Sequence, residues 1–172
     1  MVKRLFDLFF SLLLIIILSP ILILGYVVVS IDTFSNGLFT QKRIGQYGVP
    51  FTIYKLKTIR PKTTIISPVG KLLQKSKIDE LPQLFNVLFG TMSFVGPRPD
   101  IPGYYDKLEG DYRKILALKP GITCEASIKY ADEELILEKQ ENPIMKENAW
   151  NLLQKEYLVE RSYKLIKEKV NV

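Results

Sequence analysis

The chain has 172 residues, enough for one domain of ordinary size, and carries 24 Lys+Arg against 18 Asp+Glu for a formal charge of +6. It contains no histidine and a single cysteine, Cys124, which excludes a Ser-His triad, a histidine general base, a His-liganded metal, an internal disulfide and a Cys-cluster zinc site. Chemistry is left to carboxylates, lysines, arginines, hydroxyls and an oxygen-held ion such as Mg2+ or Mn2+, and the basic balance suits a phosphate-bearing partner or an anionic surface.

Leu5 to Ile31 reads LFDLFFSLLLIIILSPILILGYVVVSI, with Asp7 as its only charge. As one straight helix it would be about 40 Å long, against about 30 Å of bilayer hydrocarbon. The run is too long for a signal peptide, and no small-residue cleavage site follows it. Ser19-Pro20 lies inside it. A proline there has no N–H to donate and clashes with the Ile16 carbonyl, and the Ser19 hydroxyl is the nearest partner for that carbonyl. A kinked span and a re-entrant hairpin both remain open. Lys3 and Arg4 precede the run and Lys42 and Arg43 follow it, so charge marks neither end as the translocated one.

Gly37–Ile44 and Pro50–Ile59 are rich in β-branched and aromatic residues, with Gln46-Tyr47-Gly48 between them, which predicts a β-hairpin. Alternation puts Lys55 and Lys57 on one face of the second strand, where they meet either solvent or an anion. Gly70–Lys77 reads as a short basic helix. A second helix is expected from Asp79-Glu80 to Gly90, because Pro82 is tolerated in a first turn. Ser93–Asp100 (SFVGPRPD) is a stiff loop in which Pro97 and Pro99 restrict Arg98. Lys119–Thr123 marks a turn, and Ala131–Gln140 an acidic helical stretch. After Pro143, Met145, Ala149, Trp150, Leu153, Tyr157 and Leu158 recur at three- and four-residue spacing. That spacing describes an amphipathic helix, packed on a core or lying in a membrane interface.

The adjacent carboxylates Asp79 and Glu80 have two readings. In one they are helix caps, since Ser76-Lys77-Ile78-Asp79 fits a capping box and carboxylates favour the positive end of a helix. In the other a carboxylate attacks phosphorus and forms an acyl phosphate. The helix dipole would keep Asp79 ionised, Arg98 would offer a planar bidentate clamp and Lys55 a point charge. A divalent ion would neutralise a diphosphate.

The ordered motifs resemble those of the bacterial sugar transferases called small monotopic phosphoglycosyl transferases, over nearly the whole length to about Ile122. The matching residues begin with Lys3-Arg4-Leu5-Phe6-Asp7 and Ser19-Pro20. They continue through Phe39-Thr40-Gln41, Arg43, Gly45, Phe51 and Ile53-Tyr54-Lys55-Leu56-Lys57-Thr58. The most specific block is Asp79-Glu80-Leu81-Pro82-Gln83-Leu84-Phe85-Asn86-Val87-Leu88. Met92 through Pro99 and Lys119 through Thr123 complete the series.

The resemblance implies transfer of a sugar-1-phosphate from a UDP-sugar to a polyprenol (undecaprenyl) phosphate, with release of UMP. It implies Mg2+, a phosphosugar intermediate on Asp79, and a Glu80 that activates the acceptor or holds the metal with Asp79. Lys55, Lys57 and Arg98 would contact phosphate. Ser19 and Pro20 would shape a re-entrant hairpin at the cytoplasmic face of the inner membrane. Three departures from the family pattern stand out: Gln74 beside Lys75 where arginine is common, Thr91 after Gly90 where aspartate is common, and Cys124–Ala131 in place of a stretch containing Asn-Gly-Arg.

Residues and resemblance together predict a mixed, mostly helical α/β fold with an N-terminal re-entrant membrane helix and a small β-hairpin. The expected division is residues 1–32 as a membrane helix-break-helix and 33–172 as a cytosol-facing catalytic domain with interfacial helices. Donor, acceptor and lipid bilayer are the expected partners, and a homodimer is left open. No nucleic-acid motif is present, so nucleic acid is not expected. The rival reading is a non-catalytic membrane module that binds nucleotide sugar or a glycan-assembly partner.

Overall fold

The computed structural model describes residues 2–61, 66–103 and 105–124. The two helices expected beyond Ala131 lie outside them. The order is α1 (Val2–Thr33), β1 (Leu38–Ile44), β2 (Pro50–Leu56), α2 (Pro68–Lys75), α3 (Gln83–Phe89), β3 (Ser93–Val95) and β4 (Gly121–Thr123). Short 3-10 segments span Gln46–Gly48, Ile78–Glu80, Tyr105–Lys107 and Gly110–Ala117. The fold is mixed, with about half of the described residues helical, and β1 and β2 form the expected two-stranded hairpin around Gln46–Gly48. The described residues form two compact units, one up to Arg43 and from Pro50 to Phe94, the other of Ile44–Val49 and residues 95–124.

In the first unit α1 carries Ser19-Pro20 inside one helix, Val2–Thr33. The Ser19 Oγ donates to the Ile16 carbonyl at 2.8 Å, which satisfies the acceptor that Pro20 leaves open. Ser11, Ser30 and Thr33 likewise donate back to the carbonyls of Leu8, Tyr26 and Val29. Each serine and threonine hydroxyl of α1 is thereby satisfied within its own helix, as an apolar surround requires. By length and composition α1 could cross a membrane. It is not apolar all round in its packing. Asp7, Ser11, Val29 and Thr33 are buried, and Arg4, Leu14, Leu18, Leu22 and Gly25 between them are half-buried. Their three- and four-residue spacing is one helical stripe.

That stripe is bolted to the rest of the unit by its charges. Arg4 donates from Nη1 to the Val87 carbonyl at 2.7 Å and from Nη2 to the Leu88 carbonyl at 2.8 Å. These are last-turn carbonyls of α3, beyond the regular hydrogen bonding of the helix, and the Val87 carbonyl also accepts from the Gly90 N–H at 3.0 Å. The expected stop of α3 at Gly90 is observed, with Gly90 at φ 83° donating to the Asn86 and Val87 carbonyls. Asp7 accepts from Ser93 Oγ at 3.2 Å and from the Phe94 N–H at 3.3 Å. Asn86 ties α3 to β2: its Oδ1 accepts from the Tyr54 N–H at 3.2 Å, and its Nδ2 donates to the Thr52 carbonyl at 2.7 Å. A core of Val29, Leu56 and Leu73, with Val69 and Ile78 against it, joins α1, β2 and α2.

The second unit has its own core of Ile44, Tyr105, Ile115 and Leu116, with Leu108 packed on it. Gln46 Nε2 donates to the Ala117 carbonyl at 2.8 Å, and the Ile44 N–H to the Asp100 carbonyl at 2.8 Å. The Gly96 N–H donates to Thr123 and the Gly121 N–H to Pro97, at 3.1 and 2.9 Å. A Cβ on Gly96 would collide with the Lys119 carbonyl, so glycine is required for the two backbones to approach.

Candidate active site

Asp79 and Glu80 are delivered by a sharp reversal. Ser67 caps α2 at its start by accepting from the Gly70 N–H at 2.9 Å, with Pro68 in the first turn. Ser76 closes the other end, its Oγ donating to the carbonyls of Leu72 and Leu73 at 2.8 and 3.1 Å. Lys77 then takes the left-handed conformation, at φ 57°. The 3-10 turn Ile78–Glu80 follows, and α3 begins only after Pro82. Two expectations are corrected here. Ser76 spends its hydroxyl on the helix behind it, so no capping box forms with Asp79. Asp79 and Glu80 occupy a separate turn, because Lys77 reverses the chain and the proline-containing link restarts the helix.

The two carboxylates sit in different surroundings. Asp79 is 7% exposed, and its Oδ1 has no hydrogen-bond partner. Burial, and then the negative charge of Glu80, pushes the Asp79 carboxyl above the ordinary aspartate range, with Lys55 and Lys77 pulling the other way. The expected ionising pull of a helix end is therefore outweighed. A three-residue 3-10 turn supplies little dipole, and desolvation disfavours the charged form. Glu80 Oε1 accepts from Lys55 Nζ at 2.8 Å, with both side chains about four-fifths buried (21% and 22% exposed).

Lys57 does not join them. It lies one residue beyond the end of β2, and its Nζ donates to Ser35 Oγ at 3.1 Å. Gln74 donates to Thr58 Oγ1 at 2.8 Å. Arg98 belongs to the second unit, where it is exposed in a crevice with Gly45, Pro97 and Tyr105. Lys55, Asp79 and Glu80 thus form the cluster. Sequence reasoning noted Arg4, Asp7 and Asn86 but gave them no role, and they hold the frame around it. A lone charge inside an apolar helix is the signal that could have found Asp7.

Among the described residues no group of three or more Asp, Glu, Cys or His side chains gathers as a ready-made metal cage. Mg2+ is commonly held by only one or two carboxylates plus waters and substrate phosphates. Two adjacent carboxylates, one with an unpartnered buried oxygen, fit an ion of that kind. Asp79 and Glu80 are the residues that could hold it.

A family model described as bacterial sugar transferase matches residues 1–163. The chain is 38% identical over 160 residues to the UDP-glucose:undecaprenyl-phosphate glucose-1-phosphate transferase of Klebsiella pneumoniae, covering 83% of this chain and 34% of that protein. It is 33% identical over 146 residues to the exopolysaccharide production protein PSS of Rhizobium leguminosarum bv. phaseoli, covering 74% and 73%. It is 33% identical over 148 residues to the undecaprenyl-phosphate galactose phosphotransferase of Salmonella typhimurium, covering 70% and 31%. The chain therefore spans most of one of these relatives and about a third of the other two. On the match over nearly its whole length, this chain belongs to the bacterial sugar transferase family.

Proposed function

We propose that this chain transfers a sugar-1-phosphate from a UDP-sugar to a polyprenol phosphate, undecaprenyl phosphate in particular, through a covalent intermediate on Asp79. The observation that carries the reading is the buried Asp79 carboxylate with an unpartnered Oδ1, beside an ion pair of Glu80 with Lys55. The activities for which the relatives are named support the same class of reaction.

In the first step an Asp79 oxygen attacks the phosphorus that carries the sugar. A bond from carboxylate oxygen to phosphorus forms, the bond from phosphorus to the UMP oxygen breaks, and UMP leaves with that electron pair. In the second step a phosphate oxygen of the polyprenol phosphate attacks the same phosphorus. Asp79 leaves as carboxylate, and a polyprenol-diphosphate sugar forms. Splitting the transfer in two lets a water-soluble donor and a lipid acceptor use one site in turn.

Lys55 holds Glu80 in position through their ion pair, and its ammonium would meet the donor phosphates. Glu80 activates the acceptor phosphate for the second step. Lys57 and Arg98 are assigned to phosphate contact. Mg2+ bound to Asp79 and Glu80 would neutralise diphosphate charge and favour the ionised form of Asp79. Helix α1 enters the membrane from the cytoplasmic face as a re-entrant segment shaped at Ser19-Pro20. That topology puts the site at headgroup depth, where the acceptor phosphate lies and UDP-sugars arrive from the cytosol. The product begins the membrane stage of a surface glycan or glycoprotein.

The test is UMP release from a panel of UDP-sugars with Mg2+ and polyprenol phosphate, beside Asp79→Asn. One donor should give UMP with the wild type and none with the variant. Equal release by both would remove Asp79 as nucleophile. Silence of both across the panel would favour the non-catalytic binding module.

A further inference from the structure

Lys77 is held in a conformation that suits a lysine poorly. Its φ is 57°, in the left-handed region where a Cβ crowds the following carbonyl oxygen and glycine is the ordinary occupant. Both of its backbone groups are committed. Its N–H donates to the Gln74 carbonyl at 3.1 Å, and its carbonyl accepts from the Glu80 N–H at 3.2 Å. The turn is therefore pinned on both sides, and the direction in which the Lys77 side chain leaves the backbone is pinned with it. Glycine would close α2 at this point without strain. The lysine side chain does not offset that strain through the fold. Lys77 is exposed, and among the described residues its ammonium has no carboxylate partner. Strain kept where the side chain adds nothing to the packing has its reason outside the fold.

The neighbour that supplies a reason is the acidic pair. Asp79 follows two residues later, in the 3-10 turn that the Lys77 reversal begins. The ammonium is close enough for its charge to act on the Asp79 carboxyl, as that of Lys55 does. The two cations differ in what they have left to offer. Lys55 is about four-fifths buried and bound to Glu80 at 2.8 Å, so its charge is already answered by a carboxylate. Lys77 is exposed, and its flexible stem carries an uncommitted point charge with three donors. A carboxylate that is to meet a diphosphate repels it, and a cation at the mouth of the site relieves that repulsion.

We infer that Lys77 is a further substrate-contacting residue, its ammonium binding the diphosphate of the nucleotide-sugar donor as that group comes against Asp79. The inference rests on the transfer reading above and adds a residue to it. The donor is favoured over the acceptor because an exposed ammonium stays in water. The donor is the reactant that arrives from water, and it brings two linked phosphates.

The test uses the full chain with Mg2+ and the donor that gives UMP. It compares Lys77→Gly and Lys77→Arg with Lys71→Ala, a control at another exposed lysine of α2. Glycine removes the ammonium and relieves the strain together. Lys77→Gly should therefore unfold no earlier than wild type while its donor KM rises about tenfold, what a hydrogen bond to a charged group commonly contributes. Its kcat and its KM for undecaprenyl phosphate should be unchanged. Lys77→Arg keeps the charge and should hold the donor KM within about threefold of wild type, and Lys71→Ala should leave it unaltered. An unchanged donor KM in Lys77→Gly would overturn the inference, as would a rise confined to the acceptor KM or an equal rise in Lys77→Arg. Earlier unfolding of Lys77→Gly would overturn it too, because the side chain would then be serving the fold. If wild type makes no UMP with any donor, the transfer reading falls separately. Binding of UDP to the wild type, read by calorimetry and weakened about tenfold in Lys77→Gly, then still supports the diphosphate contact, and equal binding or none sinks it.

Discussion

Asp79→Asn should make the protein inactive and more stable at once. Asp79 is 7% exposed with an unpartnered Oδ1, and its carboxyl is pushed above the ordinary value of 3.8 by burial and by Glu80. The folded protein therefore holds this proton more tightly than the unfolded chain does. Between the ordinary value and the raised one, the native state binds more protons, so wild-type stability falls as pH rises through that window. Above the raised value the full cost of the buried charge is present. A buried group without a partner costs about 1–3 kcal/mol. Asparagine removes the charge but keeps a polar amide, so the gain should be about 1–2 kcal/mol, or roughly 2–8 °C in Tm for a chain of 172 residues. The assay is thermal unfolding of both proteins without divalent ions at a series of pH values. The variant should unfold later at neutral pH, and the difference should vanish below pH 3.8. A gain that does not vary with pH, or a less stable variant at neutral pH, would refute the reasoning, since either would mean that the carboxylate is compensated where it sits.

Other substitutions separate the chemistry from the frame that holds it. Lys55→Met removes the cation bound to Glu80 at 2.8 Å; UMP release should fall by about 100-fold, and stability should fall by about 1–3 kcal/mol because Glu80 is left largely buried without its partner. Asn86→Ala removes the side-chain bonds to Tyr54, Thr52 and Thr91 from a buried position, and should lower stability by about 2–4 kcal/mol in urea titration. Arg4→Met removes the guanidinium from the Val87 and Leu88 carbonyls and leaves Val87 only its bond from the Gly90 N–H; it should cost about 1.5–3 kcal/mol and speed amide exchange at the end of α3, with little change there taken as evidence against the clamp.

The hairpin was legible because two signals agreed: strand-forming residues on both sides and a Tyr-Gly turn between them. Tyr47 and Gly48 both adopt positive φ, 60° and 80°, as a tight connection requires. The stop at Gly90 was legible for the same reason, since glycine is the residue that accepts a left-handed C-cap. The start of α3 was not. Asp79, Glu80 and Pro82 are all favoured in a first helical turn, so local preference supported a single helix. The feature that decides otherwise is the left-handed Lys77, and a lysine carries no mark of positive φ. Ser76 misled in a related way. Its hydroxyl could serve the turn ahead or the helix behind, and the carbonyls of Leu72 and Leu73 are nearer.

The site was legible in its chemistry more than in its geometry. Alternation placed Lys55 and Lys57 together, but β2 ends at Leu56, so the pattern no longer governs Lys57. Asp7 and Arg4 were visible as charges at the head of an apolar run, yet their partners, 83 to 87 residues away in the chain, depend on a fold that no local pattern encodes. Asp79 looked like a cap and proved to be buried without one. A cap would have bonded the N–H groups of the helix ahead, whereas the backbone bond at Asp79 comes from its own residue, and a packing residue would have been apolar. A carboxylate held against both alternatives, next to an ion pair that fixes its neighbour, is poorly explained by stability. It is well suited to attack, because a nucleophile stripped of water and unpartnered at one oxygen has least to give up when it meets phosphorus.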